Sequence, residues 1–333
     1  MAVSLATKAV SVHDPSQVAE ARRVGAALAR ALGFDEERSG RLSLVVTEAA
    51  TNLVRHGGGG EILLRPVESH GGSAVELLAL DRGPGMSNVA RCLEDGYSTA
   101  GSAGTGLGAV RRLSTLFDLY SHHGHGTAIL SRVGDGAARR DMVVEGVCVP
   151  APGEEVSGDA WDDEVRSDGV AVLVVDGLGH GPLAAAASAA AVGAFRSSRW
   201  QPPARRLEAI HAAMRGTRGG AVAVADVDRT ARLVRFAGIG NIGGLILDGE
   251  RARWLMSHNG TVGHLVRKID EVTLPWPARG LLLMYSDGLG TPREFGAYPG
   301  LAERHPSLVA GVLWRDLSRG RDDVTVVVAK EVA

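Results

Sequence analysis

Cysteine is almost missing from this 333-residue chain. Cys92 and Cys148 are the only two, they lie on either side of the segment 134–140, and neither sits in a metal-ligand spacing. A reduced, cytoplasmic protein is the simple expectation. Nor does positive charge accumulate: the net charge is −2, with 13 basic and 14 acidic residues up to position 135 and 23 and 24 after it. Such a balance lacks the basic footprint of a nucleic-acid binder. Long apolar runs are missing too. The longest, at 183–195, is alanine-rich and too short to span a bilayer, which makes it a core-helix candidate. The N-terminus shows no basic segment followed by an apolar one, so neither a signal peptide nor a membrane anchor is expected. No internal repeat and no coiled-coil heptad is present.

What the chain does have is enough apolar residue, 45%, and enough length for two domains with separate cores. The stretch 134–140 is small, polar and aperiodic, which suits a linker and divides the chain into domains at 1–133 and 141–333. Before it, Val18, Ala21, Gly25, Leu28 and Leu32 recur at helical spacing, as do Leu42, Val45, Val46, Ala49 and Leu53. Strand-like runs follow at 61–64, 75–80 and 127–131, with a helix at about 106–116, so helices on one face of a mixed sheet are expected. After the linker, valine- and leucine-rich strands are expected at 143–149, 170–175, 221–227, 233–236, 281–285 and 324–329, interrupted by helices near 182–196 and 205–215. Many short strands with two helices suggest a sheet-on-sheet core.

Two constellations carry chemistry. In the first, Glu48 and Asn52 lie four apart on a helix and so share a face. A carboxylate there can act as general base, and a neighbouring amide oxygen can ligate Mg²⁺. Asp81 ends an apolar strand and enters a turn containing Gly83 and Gly85, where a carboxylate can accept a hydrogen bond from the adenine amine. Gly104, Gly106 and Gly108 lead into a helix whose free N–H groups can hold phosphates. In the second constellation, Gly158-Asp159, Asp176-Gly177, Asp287-Gly288 and Asp322-Asp323 place carboxylates in small-residue turns at the edges of apolar runs. A pair of divalent ions about 3.5–4 Å apart, which activates a water for in-line attack on a phosphoester, needs carboxylates gathered this way. Any one Asp-Gly is an ordinary turn dipeptide; the set of four is far more specific.

In their order and spacing, the first motifs resemble the ATP-binding fold of gyrase, Hsp90, histidine kinases and MutL, the GHKL superfamily. With Glu94-Asp95-Gly96-Tyr97-Ser98-Thr99-Ala100-Gly101-Ser102 ahead of the second glycine motif, residues 8–133 resemble RsbT-like switch kinases and related anti-sigma-factor serine kinases. No dimerisation helix with a phospho-accepting histidine precedes them, which disfavours a histidine kinase. The resemblance implies that Glu48 is the base, Asn52 the Mg²⁺ ligand and Asp81 the adenine contact. Residues 141–330, through Ser157-Gly158-Asp159, Asp176-Gly177-Leu178-Gly179-His180-Gly181, Tyr285-Ser286-Asp287-Gly288 and Asp322-Asp323-Val324-Thr325, resemble 2C-type metal-dependent phosphatases, in particular the SpoIIE, RsbU and RsbX branch.

This second resemblance implies Mn²⁺ or Mg²⁺ bridged by Asp176, with the Gly177 carbonyl on one ion and Asp287 and Asp322 on the other. Asp159 would complete the set or ligate through water, and Asp322 is preferred over Asp323. The implied fold class is α+β: a Bergerat-type (GHKL) α/β sandwich followed by a 2C-type β-sandwich flanked by helices.

The implied function is ATP-dependent phosphorylation and metal-dependent dephosphorylation of STAS-domain proteins, either anti-anti-sigma factors or stressosome scaffolds. The alternative is a sequestering N-terminal module that binds a sigma factor, leaving the phosphatase as the catalytic part. His180 is either a proton donor or a turn residue beside the site. His122, His123 and His125 read as a solvated turn, His56 as a helix end, and Trp161 and Trp276 receive no role.

Overall fold

The computed structural model describes residues 7–69, 72–93, 106–136, 141–249, 251–292 and 295–332. These group into two units: Thr7–Arg139 together with Glu303–Arg315, and Arg140–Ala302 together with Asp316–Ala333.

In the N-terminal unit, β1 (Lys8–Val12) leads to Asp14, which caps α1 (Pro15–Ala31) in a reciprocal box with Gln17. Asp35 caps α2 (Glu36–Asn52), and Glu36 and Glu37 in its first turn complement the helix dipole. The helix then widens into a single π-helical turn, Leu53–Gly57, which Gly58 ends in the left-handed region. There follow β2 (Gly60–Ser69), β3 (Gly72–Asp81), α3 (Val89–Cys92), α4 (Gly106–Leu113), β4 (Leu116–Ser121) and β5 (Thr127–Gly134).

The five strands form one sheet in the order β1-β2-β3-β5-β4, and every pairing is antiparallel. The sheet is therefore not mixed, because each spatial neighbour runs back along the strand it joins. Alternate residues Ile62, Leu64, Leu77, Ala79 and Ile129 pack under Val45, Val46 and Ala49 of α2. The opposite face carries Glu76, Leu78 and Leu80, and is met by α7 (Pro306–Leu317). At Gly311 of α7, a Cβ would lie 3.0 Å from Leu78 Cδ1. Ser307 Oγ donates to Glu76 Oε2 at 2.8 Å.

This helix is encoded between two strands of the other unit, so a boundary drawn at 134–140 leaves it on the far side. The sequence did not reveal α7, because 308–314 is apolar on nearly every side and shows no 3.6-residue stripe.

The C-terminal unit holds two antiparallel five-stranded sheets. One has the order β13-β10-β9-β8-β7: Val272–Pro275, Leu233–Ile239, Gly220–Asp228, Gly169–Gly177 and Asp159–Val165. The other has the order β12-β11-β14-β15-β6: Arg251–Leu255, Gly243–Asp248, Leu281–Tyr285, Val324–Glu331 and Met142–Val149. The sandwich core interleaves Val170, Val172, Val174, Ala223 and Ala225 with Ile246, Leu282, Met284 and Val327. On the outer side of the first sheet, Leu173, Val175, Val222 and Val224 meet α5 (Pro182–Ser197) and α6 (Pro203–Ala213) through Ala187, Ala191, Phe195, Leu207 and Ile210. Among the described residues no helix is long and apolar enough to cross a membrane.

Candidate functional sites

At the N-terminal site, Glu48 and Asn52 are half-buried on the last turns of α2 and face the start of α4. A Cβ on Gly106 would stand 3.0 Å from Glu48 Oε2 and 3.5 Å from Asn52 Oδ1, so the first residue of α4 packs closely against both side chains. A phosphate held by the N–H groups of α4 would lie against both side chains. Gly108 is buried one turn into α4, while Gly104 and residues 94–102 lie outside the described residues.

Asp81 closes β3, and its Oδ1 accepts from the Gly83 amide at 2.8 Å and the Thr127 amide at 3.1 Å. Its Oδ2 takes no hydrogen bond among the described residues. Burial pushes the Asp81 carboxyl above the usual carboxylate range, against the pull of those two amides and of Arg315 and His56. Gly57, at the end of the π turn, packs against this carboxylate, since a Cβ there would lie 2.6 Å from Asp81 Cβ. The turn that follows Asn52 therefore abuts the Asp81 strand end. Gly85 adopts φ +70, with the His122 carbonyl where a Cβ would stand. The arrangement offers an acceptor for an amine, donors for phosphates and a carboxylate–amide pair beside them. Arg315, which donates to the Asp81 carbonyl at 2.7 Å, went unnoticed in the sequence; it lies 234 residues away, and nothing local points to it.

At the C-terminal site, Asp159 opens β7 directly across from Asp176 at the end of β8. Asp287 follows β14, and Asp322 precedes β15. Asp176 is pushed up to about 7, first by burial and then by Asp287, Asp322 and Asp323, which puts the four carboxylates within electrostatic reach of one another. Asp159 is raised well above its ordinary value by burial and by Asp176, and its Oδ2 is buried without a hydrogen-bond partner. Uncompensated negative charge around an orphaned oxygen fits the binding of cations. Among the described residues no three His, Cys, Asp or Glu side chains converge tightly enough to enclose an ion unaided. Backbone carbonyls and water would complete any shell, as hard divalent ions accept. At Gly177 the Ala184 carbonyl stands 2.4 Å from where a Cβ would be, so the turn bearing its carbonyl has no room for a side chain.

Asp323 is occupied differently: its two oxygens accept from the Ala151 and Gly158 amides, both at 2.8 Å, and it braces the loop before Asp159. Its own amide donates to Asp322 Oδ1 at 2.9 Å. His180 is exposed, and its Nδ1 pairs with Glu154 Oε1 at 2.5 Å. Asn241 was missed in the sequence. Its Nδ2 donates to Asp287 Oδ2 at 2.7 Å, and Gly240, which follows β10 just before it at φ +98, was an available signal.

Comparison with known proteins decides the family. Residues 12–132 match the histidine kinase-like ATPase domain family, and residues 166–331 match the stage II sporulation protein E (SpoIIE) family. The serine/threonine-protein kinase RsbT of Bacillus subtilis (strain 168) is 36% identical over 120 residues, covering 36% of this chain and 90% of RsbT. The chain is a fusion of an RsbT-like ATPase-family domain with a SpoIIE-type phosphatase domain. Its α+β fold is that of a GHKL-type sandwich followed by a 2C-type sandwich. One similar solved chain is described under the bacterial stressosome, a modular system that has been adapted to control secondary messenger signalling. It has 27% identity and a TM-score of 0.52 over 57% of this chain and all of that one. RsbX in complex with magnesium shares the fold at 16% identity, with a TM-score of 0.52 over 65% of this chain and all of RsbX.

Proposed function

We propose that this fusion is a bifunctional, cytoplasmic regulator of a partner-switching or stressosome-type pathway, adding phosphate to and removing it from STAS-domain proteins. The observation that supports the reading is that Glu48 and Asn52 lie against the α4 N-terminus while, on the same chain, Asp159, Asp176, Asp287 and Asp322 share one electrostatic cluster. In the kinase direction, Asp81 would fix the adenine of ATP, the α4 amides its phosphates, and Asn52 a Mg²⁺ ion. Glu48 would take the proton from a serine or threonine hydroxyl as its oxygen bonds to the γ-phosphorus and the bond to ADP breaks.

In the phosphatase direction, Asp176, the Gly177 carbonyl, Asp287, Asp322 and Asp159 would hold two Mn²⁺ or Mg²⁺ ions. When bound, such ions supply Lewis-acid polarisation of the phosphoester and activation of a water. The protein's own part is orientation. Asn241 fixes Asp287, and Asp323 fixes the backbone around Gly158. Joining both activities on one chain raises the effective concentration of each near a shared scaffold.

The test incubates a phosphorylated STAS protein encoded nearby with Mn²⁺ and the purified chain, without and then with ATP, alongside Glu48→Ala and Asp176→Asn. Phosphate loss abolished by Asp176→Asn, with ATP-driven gain abolished by Glu48→Ala, supports the reading. Phosphate loss with no gain on any STAS protein, together with stoichiometric capture of a sigma factor, would replace the kinase with a sequestering module.

A further inference from the structure

Three elements of the C-terminal unit meet on one carbonyl oxygen. Gly158 precedes Asp159, and its carbonyl accepts the Gly177 amide at 3.2 Å, which ties the Asp159 turn to the Asp176-Gly177 turn. The same oxygen accepts a second donor, the hydroxyl of Ser188 from the middle of α5. The Gly158 amide donates in turn to Asp323 Oδ2 at 2.8 Å, so both polar groups of this residue are held. The seat is tight. A Cβ on Gly158 would lie 2.7 Å from Ala184 Cβ, and a Cβ on Gly177 would lie 2.4 Å from the Ala184 carbonyl. Ala184 and Ser188 are four residues apart on α5 and share the face that meets both turns. With no side chain on either glycine, the helix comes near enough for a residue as short as serine to reach the carbonyl.

Serine is the exception on that face. The other buried residues of α5 are alanine, valine and phenylalanine, and Ser188 itself is 1% exposed. Alanine would favour the helix more and bury no hydroxyl. A hydroxyl kept in such a place needs a partner, and the one it finds belongs to the carboxylate site and not to its own helix. The site has need of a brace. Asp159 and Asp176 stand opposite each other on β7 and β8, and in the metal-free chain their like charges repel. Two donors on the Gly158 carbonyl, one from the Gly177 backbone and one from α5, oppose the parting of the two turns. Ligands held in place before an ion arrives bind it more tightly than ligands that must be gathered.

We propose that Ser188 is a positioning residue of the divalent-ion site, holding the Asp159 and Gly177 turns together through the Gly158 carbonyl. The inference rests on the phosphatase reading, which supplies the ions. Ser188 acts only through the backbone of the two turns. Ser188→Ala isolates that action, because the Gly158 carbonyl keeps its Gly177 donor and the helix gains a better helix former.

The test uses the full, nucleotide-free chain and compares wild type with Ser188→Ala, Ser188→Thr and Ser197→Ala. The last is a control: it removes an exposed hydroxyl at the far end of α5, where Ser197 donates to the Gly193 carbonyl at 2.9 Å. Each protein is titrated with Mn²⁺ by calorimetry, and the metal-free forms are compared by amide exchange and melting temperature. Ser188→Ala should weaken Mn²⁺ binding roughly 3- to 10-fold, the size of one neutral hydrogen bond acting through the backbone. It should also speed exchange of the Gly177 amide. Ser188→Thr, which keeps the hydroxyl, should restore most of the Mn²⁺ affinity, and Ser197→Ala should match wild type in both readouts. Unchanged Mn²⁺ affinity in Ser188→Ala overturns the proposal even if its melting temperature falls, since that pattern is a structural role alone. An equal loss in Ser197→Ala overturns it too, as does a wild-type chain that binds no Mn²⁺. If Mn²⁺ binding depends on Ser188 yet the wild-type chain hydrolyses no phosphoserine peptide, the positioning role stands and the phosphatase reading fails.

Discussion

The Arg315 guanidinium donates to the backbone carbonyl of Asp81 at 2.7 Å, so the strand end that would hold adenine is fastened from a helix 234 residues further along the chain. Arg82 reciprocates by donating to the Arg315 carbonyl. Just ahead of this helix, His305 contributes its amide to Asp118 Oδ2 at 2.7 Å, and within it Ser307 donates its hydroxyl to Glu76. A segment encoded within the phosphatase-type sequence thus completes the sheet face of the ATPase-type unit.

Arg315→Ala is therefore expected to weaken the N-terminal site although it lies outside the segment similar to RsbT. Leaving a buried carbonyl with a lost charged donor costs about 1–3 kcal/mol. Nucleotide affinity should fall about tenfold or more, read by fluorescence titration with an ATP analogue. Gly311→Leu should act on the same element through crowding of Leu78. Unchanged nucleotide affinity in both variants would mean that α7 does not support Asp81.

How far the sequence disclosed this architecture depended on whether a signal was local. Glu48 and Asn52 were legible because four residues is one helical turn, and Gly106, which meets them, was legible as part of a glycine motif that leads into a helix. The strands of the sandwich core were legible as short valine-rich runs. β1, β4, β7, β11, β12 and β13 were not, since each is short or carries polar residues across half its length. α7 escaped because burial on nearly all sides erases amphipathic periodicity. Asn241 escaped for a different reason: its partner Asp287 is 46 residues away, and a neutral amide in a turn reads as turn chemistry until the fold brings the two together.

Asn241→Ala should loosen Asp287 without removing a carboxylate. Partners that orient a ligating carboxylate typically contribute 10- to 100-fold in metal affinity or activity. A tenfold or larger rise in the Mn²⁺ concentration needed for half-maximal phosphoester hydrolysis is expected, with the maximal rate at saturating Mn²⁺ largely regained. A lost maximal rate with unchanged Mn²⁺ dependence would argue that Asn241 serves the substrate and not Asp287.

Glu76 offers a prediction confined to the N-terminal unit. It is fully buried between Arg65 Nε at 2.7 Å and Arg132 Nη2 at 2.6 Å. Burial alone would push its carboxyl up, but Arg132 and then Arg65 hold it well below the usual carboxylate range. A depressed folded value means stability that is fully present above the unfolded value of 4.5 and lost as pH falls toward the folded one. Glu76→Gln should destabilise the unit by about 3–5 kcal/mol at pH 7, since two guanidinium groups lose their counter-charge. The gap between variant and wild type should narrow only below about pH 4.5. Amide exchange along β3 and β5 reads this unit selectively, and a gap that stays constant to pH 3 would contradict it.

The opposite sign holds at the carboxylate cluster. Without metal, Asp176 is pushed up to about 7 by burial and its acidic neighbours, and Asp159 is raised as well. Between the ordinary value of 3.8 and about 7 the folded chain binds more protons here than the unfolded chain does, so stability falls as pH rises through that window. Divalent ions remove the penalty by replacing protons, and they compete with protons for the same oxygens. The gain in melting temperature on adding Mn²⁺ should therefore be small at pH 5.5 and larger at pH 8, where the carboxylates are ionised and repel one another. Each kcal/mol of that gain corresponds to roughly 2–4 °C in a unit of this size. Asp176→Asn should flatten the pH dependence of the metal-free protein, raise its melting temperature at pH 8, and abolish most of the Mn²⁺ effect. A Mn²⁺ gain of equal size at both pH values, or one that survives Asp176→Asn, would place the bound ions elsewhere on the chain.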